Sequence, residues 1–441
     1  MQNYNLTEFN LFSGFIKVNN DQTPVTFRVR INTSGKAEFD FNKIERTKEN
    51  IFIENKCETL SSFYLCGKSE SNIEIIVEKI YFSISINITE SINILKVDRY
   101  STLKLTIQKT ESKPRLMFRL KGFEHFPQYP LSEECALGVV SMVGSSSVEN
   151  PDKVTGYIAI EPKDISINLS ECYGEAVKLL EHIHWIMSFA CGFKFNVPMI
   201  EFHREDKVEI TLLPQKQQSI SSSYPVISKI SRSAIFKTAV TSFFNSPKEI
   251  KNIYLAIDWF TTNPEYSEGR LIAAMTVLEN LLASNLDENA KEIISSKEFE
   301  KYRKTLRQQV IKKCVEKWSN DKQEDIISKM NEGLLDLNRR SLRQKIDILA
   351  KRWSVKIDDI DETKINAAIK ARNLITHQGH CSQDNLLEHI AVMRELTIRF
   401  LFTAIGYQGE YISHLGGFHK RQFPSKNNQA IENHIAPPVL R

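Results

Sequence analysis

The stretch ECYGEAVKLLEHIHWIMSFA, Glu171 to Ala190, is where the chain changes its period. Ala176, Leu179, Leu180, Ile183 and Met187 recur at helical spacing, and Gly192 follows as a helix stop. Before this stretch, apolar residues gather in short alternating or β-branched runs. These are Gly14 to Val18, Val25 to Ile31, Ile73 to Ile88, Leu103 to Gln108, Leu116 to Leu120 and Gly156 to Ile160. Polar, Asn-, Ser- and Gly-rich turns separate them, as an antiparallel sandwich or barrel requires. After it, a hairpin is predicted over Phe193 to Phe202 and Val208 to Leu213, turning at Arg204-Glu205-Asp206.

From about Ser231 the period is helical almost to the end. The predicted helices are Ile250 to Phe260, Arg270 to Ala283, Tyr302 to Trp318, Arg343 to Trp353, Thr363 to Thr376 and Asn385 to Ile405. Asn263-Pro264 breaks the pattern, and Gly269 precedes the Arg270 helix. The tail from Gly416, with Gly416-Gly417, Pro424 and Pro437-Pro438, reads as loop. The expected fold class is therefore α+β. A β-rich, sandwich- or barrel-like domain spans 1–225 and includes the helix at about 171–190. An all-α helical-bundle domain spans 226–441, and the Gln/Ser-rich Pro214 to Ser223 links the two.

Composition narrows the function classes. The chain is 41% hydrophobic and 25% charged, which suits globular domains with full cores. No run of about 18 apolar residues occurs, and Met1 to Asn20 lacks the basic and apolar regions of a secretory signal. A cytoplasmic protein is expected. The cysteines, Cys57, Cys66, Cys135, Cys172, Cys191, Cys314 and Cys381, are scattered and never spaced as C-x-x-C, so reduced thiols are expected rather than disulfides or a zinc site.

Net charge is +4, but Lys301 to Arg352 holds 15 Lys and Arg against 7 Asp and Glu. Such a segment attracts a polyanion or forms a solvated helix surface. Lys312, Lys313, Arg339, Arg340 and Arg343 are the candidates here for RNA contacts.

The chemistry sits in INAAIKARNLITH, Ile365 to His377. On a helix, Ile365, Ala368, Ile369 and Ile375 form an apolar stripe with Arg372 in its middle. A guanidinium there needs an anionic partner, a ligand or a cleft. Asn373 and His377 are four apart and can share one side of the helix. This set suits RNA cleavage by internal transesterification. The 2′-hydroxyl must lose a proton and the 5′-oxygen must gain one, and a histidine serves either step. The phosphorane gathers negative charge that an Arg fork binds, while Asn orients the His or the phosphate. A structural reading stands beside this one: Arg372 pairs with a carboxylate such as Glu279, and His377 merely ends a helix.

Arg372-Asn373-x-x-x-His377 resembles the R-N-x-x-x-H signature of HEPN domains, and Gly379 also fits. Arg270 to Leu282, with Glu279 and Asn280, resembles the first core helix of the Apea-like HEPN subgroup, where a Glu sits late in that helix. The likeness covers about Ser231 to Gly406. It implies a metal-independent RNA endonuclease with Arg372, Asn373 and His377 catalytic, Glu279 in support and no cofactor. It further implies RNA, tRNA among the candidates, as substrate, and a homodimer whose two motifs form one cleft. Many such ribonucleases belong to abortive-infection, toxin or anti-phage systems, and the likeness implies a role of that kind in defence. The β-rich part is similar in style to the N-terminal domain of ApeA-type defence proteins, though through no single motif, and would sense a phage-derived trigger. The alternative is a non-catalytic HEPN module that scaffolds a partner or holds a nucleotide.

Rival motifs are few. Pro151-Asp152 and Glu161-Pro162-Lys163 imitate the PD…E-x-K pattern of Mg²⁺-dependent nucleases, but Pro162 removes a ladder donor in mid-strand. His182 and His184 lie about 200° apart on their helix and cannot share a metal. His380, His414 and His419 lie near or after the motif, and His419-Lys420-Arg421 reads as a solvated tail or a phosphate contact. No P-loop, G-x-G-x-x-G, G-x-S-x-G or H-E-x-x-H is present.

Overall fold

The computed structural model describes residues 6–18, 21–41, 44–45, 62–87, 92–109, 113–126, 129–145, 152–163, 168–214, 225–246, 253–317, 320–381 and 385–424. The architecture is α+β, with an antiparallel β-rich region followed by a helical one. Two compact units divide between Ser223 and Tyr224, except that Phe189–Phe193 belongs to the second and Ala239–Phe243 to the first. The expected linker lies outside the described residues apart from Pro214.

The strands of the first unit are β1 (Asn10–Val18), β2 (Asp21–Ile31), β3 (Ala37–Phe41), β4 (Ile44–Glu45), β5 (Phe63–Ser69), β6 (Ile73–Asn87) and β7 (Ile92–Arg99). They continue as β8 (Thr102–Gln108), β9 (Arg115–Lys121), β10 (Leu131–Cys135), β11 (Gly138–Gly144), β12 (Val154–Glu161), β13 (Asn196–His203) and β14 (Lys207–Leu212). Their main path runs β10-β11-β12-β9-β13-β14-β8-β6-β5-β1-β2-β3, with β7 pairing β6 and β4 pairing β7. Alternation builds each strand: every second residue of Thr23 to Ile31 is buried except Val25, which is partly so. At the β3 end the sheet curls over its own core. Phe12 stacks on Phe27 and Phe27 on Phe41, each pair at 5.6 Å, and Phe82 meets Phe41 and Phe63 edge-on at 5.3 Å. The Ala37 amide donates to the Tyr100 hydroxyl at 3.4 Å, which draws β3 toward the β7–β8 turn.

At the other end, the helix α1 (Tyr173–Cys191) covers the face carrying Phe202, whose ring lies 4.8 Å from that of Tyr173. Ala176, Leu179, Leu180, Ile183 and Met187 are all buried, and Gly192 takes the left-handed φ of 76° that stops the helix.

The helices after the first unit's strands are α2 (Arg232–Phe244), which the division of the chain splits at Ala239, and, within the second unit, α3 (Ile253–Thr261), α4 (Ser267–Asn285), the single turn α5 (Glu288–Lys291), α6 (Ser296–Lys317), α7 (Asn320–Asp336), α8 (Leu342–Trp353), α9 (Glu362–Gln378) and α10 (Leu386–Ile405). Helix α4 packs against α3, α8, α9 and α10, while α6 and α7 pack on each other. Nearly every residue of α10 from His389 onward is buried, so it is the axis of the unit. Among the described residues no helix is long and apolar enough to cross a membrane.

Two expectations need correction. The tail is not all loop: β15 (Gly409–Ser413) and β16 (His419–Phe423) form a hairpin turning through Gly416 and Gly417. Pro424 follows the hairpin directly, and the rest of the tail, 425–441 with Pro437-Pro438, lies outside the described residues. Helix α4 also starts at Ser267, so Gly269 lies inside its first turn rather than before it. A Cβ at Gly269 would sit 2.9 Å from the Pro264 side chain, so only glycine lets that turn pass so close.

Candidate functional site

Helix α9 is set at both ends by its sequence. The Asp361 side chain accepts from the Thr363 amide at 2.8 Å, and Gly379 closes the helix at a φ of 79°. Ile365, Ala368, Ala371 and Ile375 form the buried stripe. Ile369 is only half-buried, and Arg372 stands at the stripe's edge with its side chain 28% exposed.

From that edge Arg372 reaches across to α4. One terminal nitrogen donates to Glu279 Oε1, and the other donates to Asn373 Oδ1 at 3.1 Å. The carboxylate expected in support of Arg372 is thus its partner, held on a neighbouring helix. A guanidinium has five N–H donors, so further donors stay available for an anion. Asn373 and His377 are both exposed, and around the helix Asn373 falls between Arg372 and His377. No hydrogen bond joins Asn373 to His377; Asn373 is turned toward Arg372 instead. His380 lies beyond the helix end, exposed, with Nδ1 3.3 Å from the Gln378 carbonyl.

This arrangement offers a charge-stabilising fork, a polar amide and an imidazole in sequence around the open side of one helix. It can bind a phosphate and move a proton. It supplies one such Arg and one such His per chain.

The basic candidates fall into two groups. Lys312 and Lys313 are exposed near the end of α6. Arg339 and Arg340 sit at the other end of that helix, where the Arg340 amide donates to the Lys291 carbonyl at 2.9 Å and the Ile293 amide to the Asn338 carbonyl at 2.8 Å. The helix from Ser296 to Lys312 spans about 24 Å. Arg339 pairs with Asp336 at 3.0 Å and Arg343 with Asp347 at 2.9 Å. Between the groups runs α7, whose sequence sets Lys322 and Lys329 against Asp321, Glu324, Asp325, Glu332 and Asp336. The basic segment is therefore interrupted by an acidic helix.

The nuclease-like residues of the first unit stay apart. Asp152 pairs with Lys121 at 2.8 Å, Lys163 with Glu134 at 2.7 Å, and Glu161 lies 4.0 Å from Arg115. The strand β12 runs between Asp152 and Glu161, and its eight residues span about 25 Å. Among the described residues no group of three or more His, Cys, Asp or Glu converges to hold a metal ion.

Several histidines are packed away from solvent. His182 shares a hydrogen bond with the Ser242 hydroxyl at 2.9 Å, and the His184 ring lies 2.6 Å from the Phe195 carbonyl. Burial pushes both down to about 4. His414 is partly buried, and loss of solvent together with the nearby Arg394 pushes it down to about 4.

Two buried polar clusters were not foreseen. On β13, Glu201 accepts from Arg119 at 2.7 and 3.1 Å and lies 3.1 Å from His203. Burial alone would raise its pKa, but the hydrogen bonds from His203 and Arg119 outweigh it and hold the group at about 2. On α10, Glu395 accepts from Arg399 at 3.0 Å, the Tyr411 hydroxyl at 2.6 Å and the Ser413 hydroxyl at 2.8 Å. Arg399 and Arg421 both donate to Asp359, so this network ties the hairpin to α10. Its carboxylates and donors satisfy one another, as a structural cluster should.

Comparison of the chain with family models, curated proteins and solved structures finds no match to any of them.

Proposed function

We propose that the protein is a metal-independent RNA endonuclease of the HEPN kind, acting through attack of the 2′-hydroxyl on the adjacent phosphate. The observation that carries this reading is the open side of α9, where Arg372 is oriented by Glu279 beside the exposed Asn373 and His377. Arg372 stabilises the phosphorane, His377 moves a proton, and Asn373 steadies the guanidinium. Two chains bring two such edges into one cleft and so provide an acid and a base together. The β-rich unit is the sensor, its trigger is phage-derived, and the enzyme works in the cytoplasm during anti-phage defence.

One observation favours a second reading. The Arg372–Glu279 ion pair is closed within the chain, as in a non-catalytic module that only binds a partner. Incubating purified protein with RNA in excess EDTA separates the two. Cleavage that disappears in His377→Ala supports the nuclease, while binding without cleavage supports the module.

A further inference from the structure

The solvent face of α9 carries more than the motif. At 3.6 residues per turn, Asn366, Lys370, Asn373 and His377 fall within an arc of about 60°, opposite the buried stripe. Lys370 lies about 4.5 Å before Asn373 and about 10 Å before His377 along the axis. It is exposed, and among the described residues it makes no hydrogen bond or ion pair. The other cations of this helix are engaged: Lys364 pairs with Glu388 at 2.6 Å and Arg372 with Glu279. From Thr363 to Gln378 the helix has no Asp or Glu, so nothing on it neutralises Lys370.

An unpaired ammonium in line with the reacting groups is suited to hold a backbone phosphate. We infer that Lys370 forms a subsite for the backbone phosphate flanking the scissile one, with single-stranded RNA laid along α9. This rests on the nuclease reading above. Lys370 is a positioning residue: its ammonium holds the strand so that the neighbouring 2′-hydroxyl and phosphate meet His377 and Arg372.

The test uses the full chain, as wild type, Lys370→Ala, Lys370→Arg, Lys370→Glu, and Lys36→Ala as a control on the first unit. A fluorescent single-stranded RNA with 2′-O-methyl groups throughout keeps the phosphates and removes the nucleophile. Its Kd is measured over a series of salt concentrations, and kcat and KM are measured on unmodified RNA. Lys370→Ala should weaken binding by roughly three- to tenfold and lower the slope of log affinity against log salt by about 0.7. KM should rise by the same factor with kcat within about twofold. Lys370→Arg should restore both, Lys370→Glu should do worse than Ala, and Lys36→Ala should change nothing. If wild type cleaves RNA but Lys370→Ala leaves Kd, KM and the salt slope unchanged, the subsite is overturned and the nuclease reading stands. If wild type binds without cleaving and the slope still falls in Lys370→Ala, the nuclease reading fails and the phosphate contact stands. Wild type that neither binds nor cleaves overturns both.

Discussion

Arg372 on α9 donates to the carboxylate of Glu279 on α4, two side chains 93 positions apart in the chain. The pair is partly exposed, with side chains 28% and 37% accessible, so it adds at most about 1 kcal/mol to stability. Under the proposed function, the pair aims the guanidinium at the phosphate. Glu279→Ala should therefore leave the melting temperature within a few degrees while kcat for RNA cleavage falls about tenfold or more. Thermal melts and single-turnover rates check this. A large loss of stability with unchanged kcat would make the pair purely structural.

Arg372→Ala and His377→Ala should each lower the cleavage rate by about 10² or more, with the folded state retained. His380→Ala should be mild, because His380 lies past the helix end and faces solvent. Rates measured on folded variants, judged by circular dichroism, decide the assignment. Loss of activity in His380→Ala but not in His377→Ala would reverse it.

A composite site predicts complementation. Mixing Arg372→Ala with His377→Ala subunits should recover part of the activity, since one site then keeps an Arg and a His from opposite chains. Sedimentation should show a homodimer. A monomer with full activity would contradict the shared cleft.

Acid should weaken the fold through histidines shielded from water. His182, His184 and His414 sit near 4 when folded and return to about 6.5 when unfolded. The unfolded chain then binds more protons than the native one below about pH 6.5, so stability falls as pH drops from there toward 4. His182 and His184, both buried, each cost on the order of 3 kcal/mol at the foot of that window. Glu201, held at about 2, contributes stability above its ordinary pKa of 4.5 that is lost as pH falls toward 2. Denaturant midpoints taken across this range should decline with acid, and His184→Gln should flatten the decline. A midpoint that stays level would contradict the assignment.

Much of this was readable from residues. An always-charged Arg on a core-facing helix edge requires an anion, and Glu279 on the predicted neighbouring helix supplied one. The period change at Glu171 marked α1 because burial on a sheet imposes a helical stripe. Other elements left weaker marks. Leu131–Cys135 is a short edge strand of mostly polar residues, and His419–Phe423 shows no alternation because none of its residues is buried. Helix α7 carries a short apolar stripe, Ile326, Ile327, Met330 and Leu334, set among charged residues, and none of its described side chains is buried. The Glu395 cluster joins residues from three separate segments, and no local pattern announces that.

The activity proposed for this protein is cleavage by a 2′-hydroxyl at the Arg372–His377 edge. The most direct measurement is the chemistry of the RNA ends made in excess EDTA by wild type and His377→Ala, beside a substrate with a single 2′-deoxy nucleotide at the cut site. Wild type alone should give 2′,3′-cyclic phosphate and 5′-hydroxyl ends, with no cut at the deoxy position. Cleavage of the deoxy substrate, or a block by EDTA that Mg²⁺ reverses, would contradict 2′-hydroxyl attack at this edge.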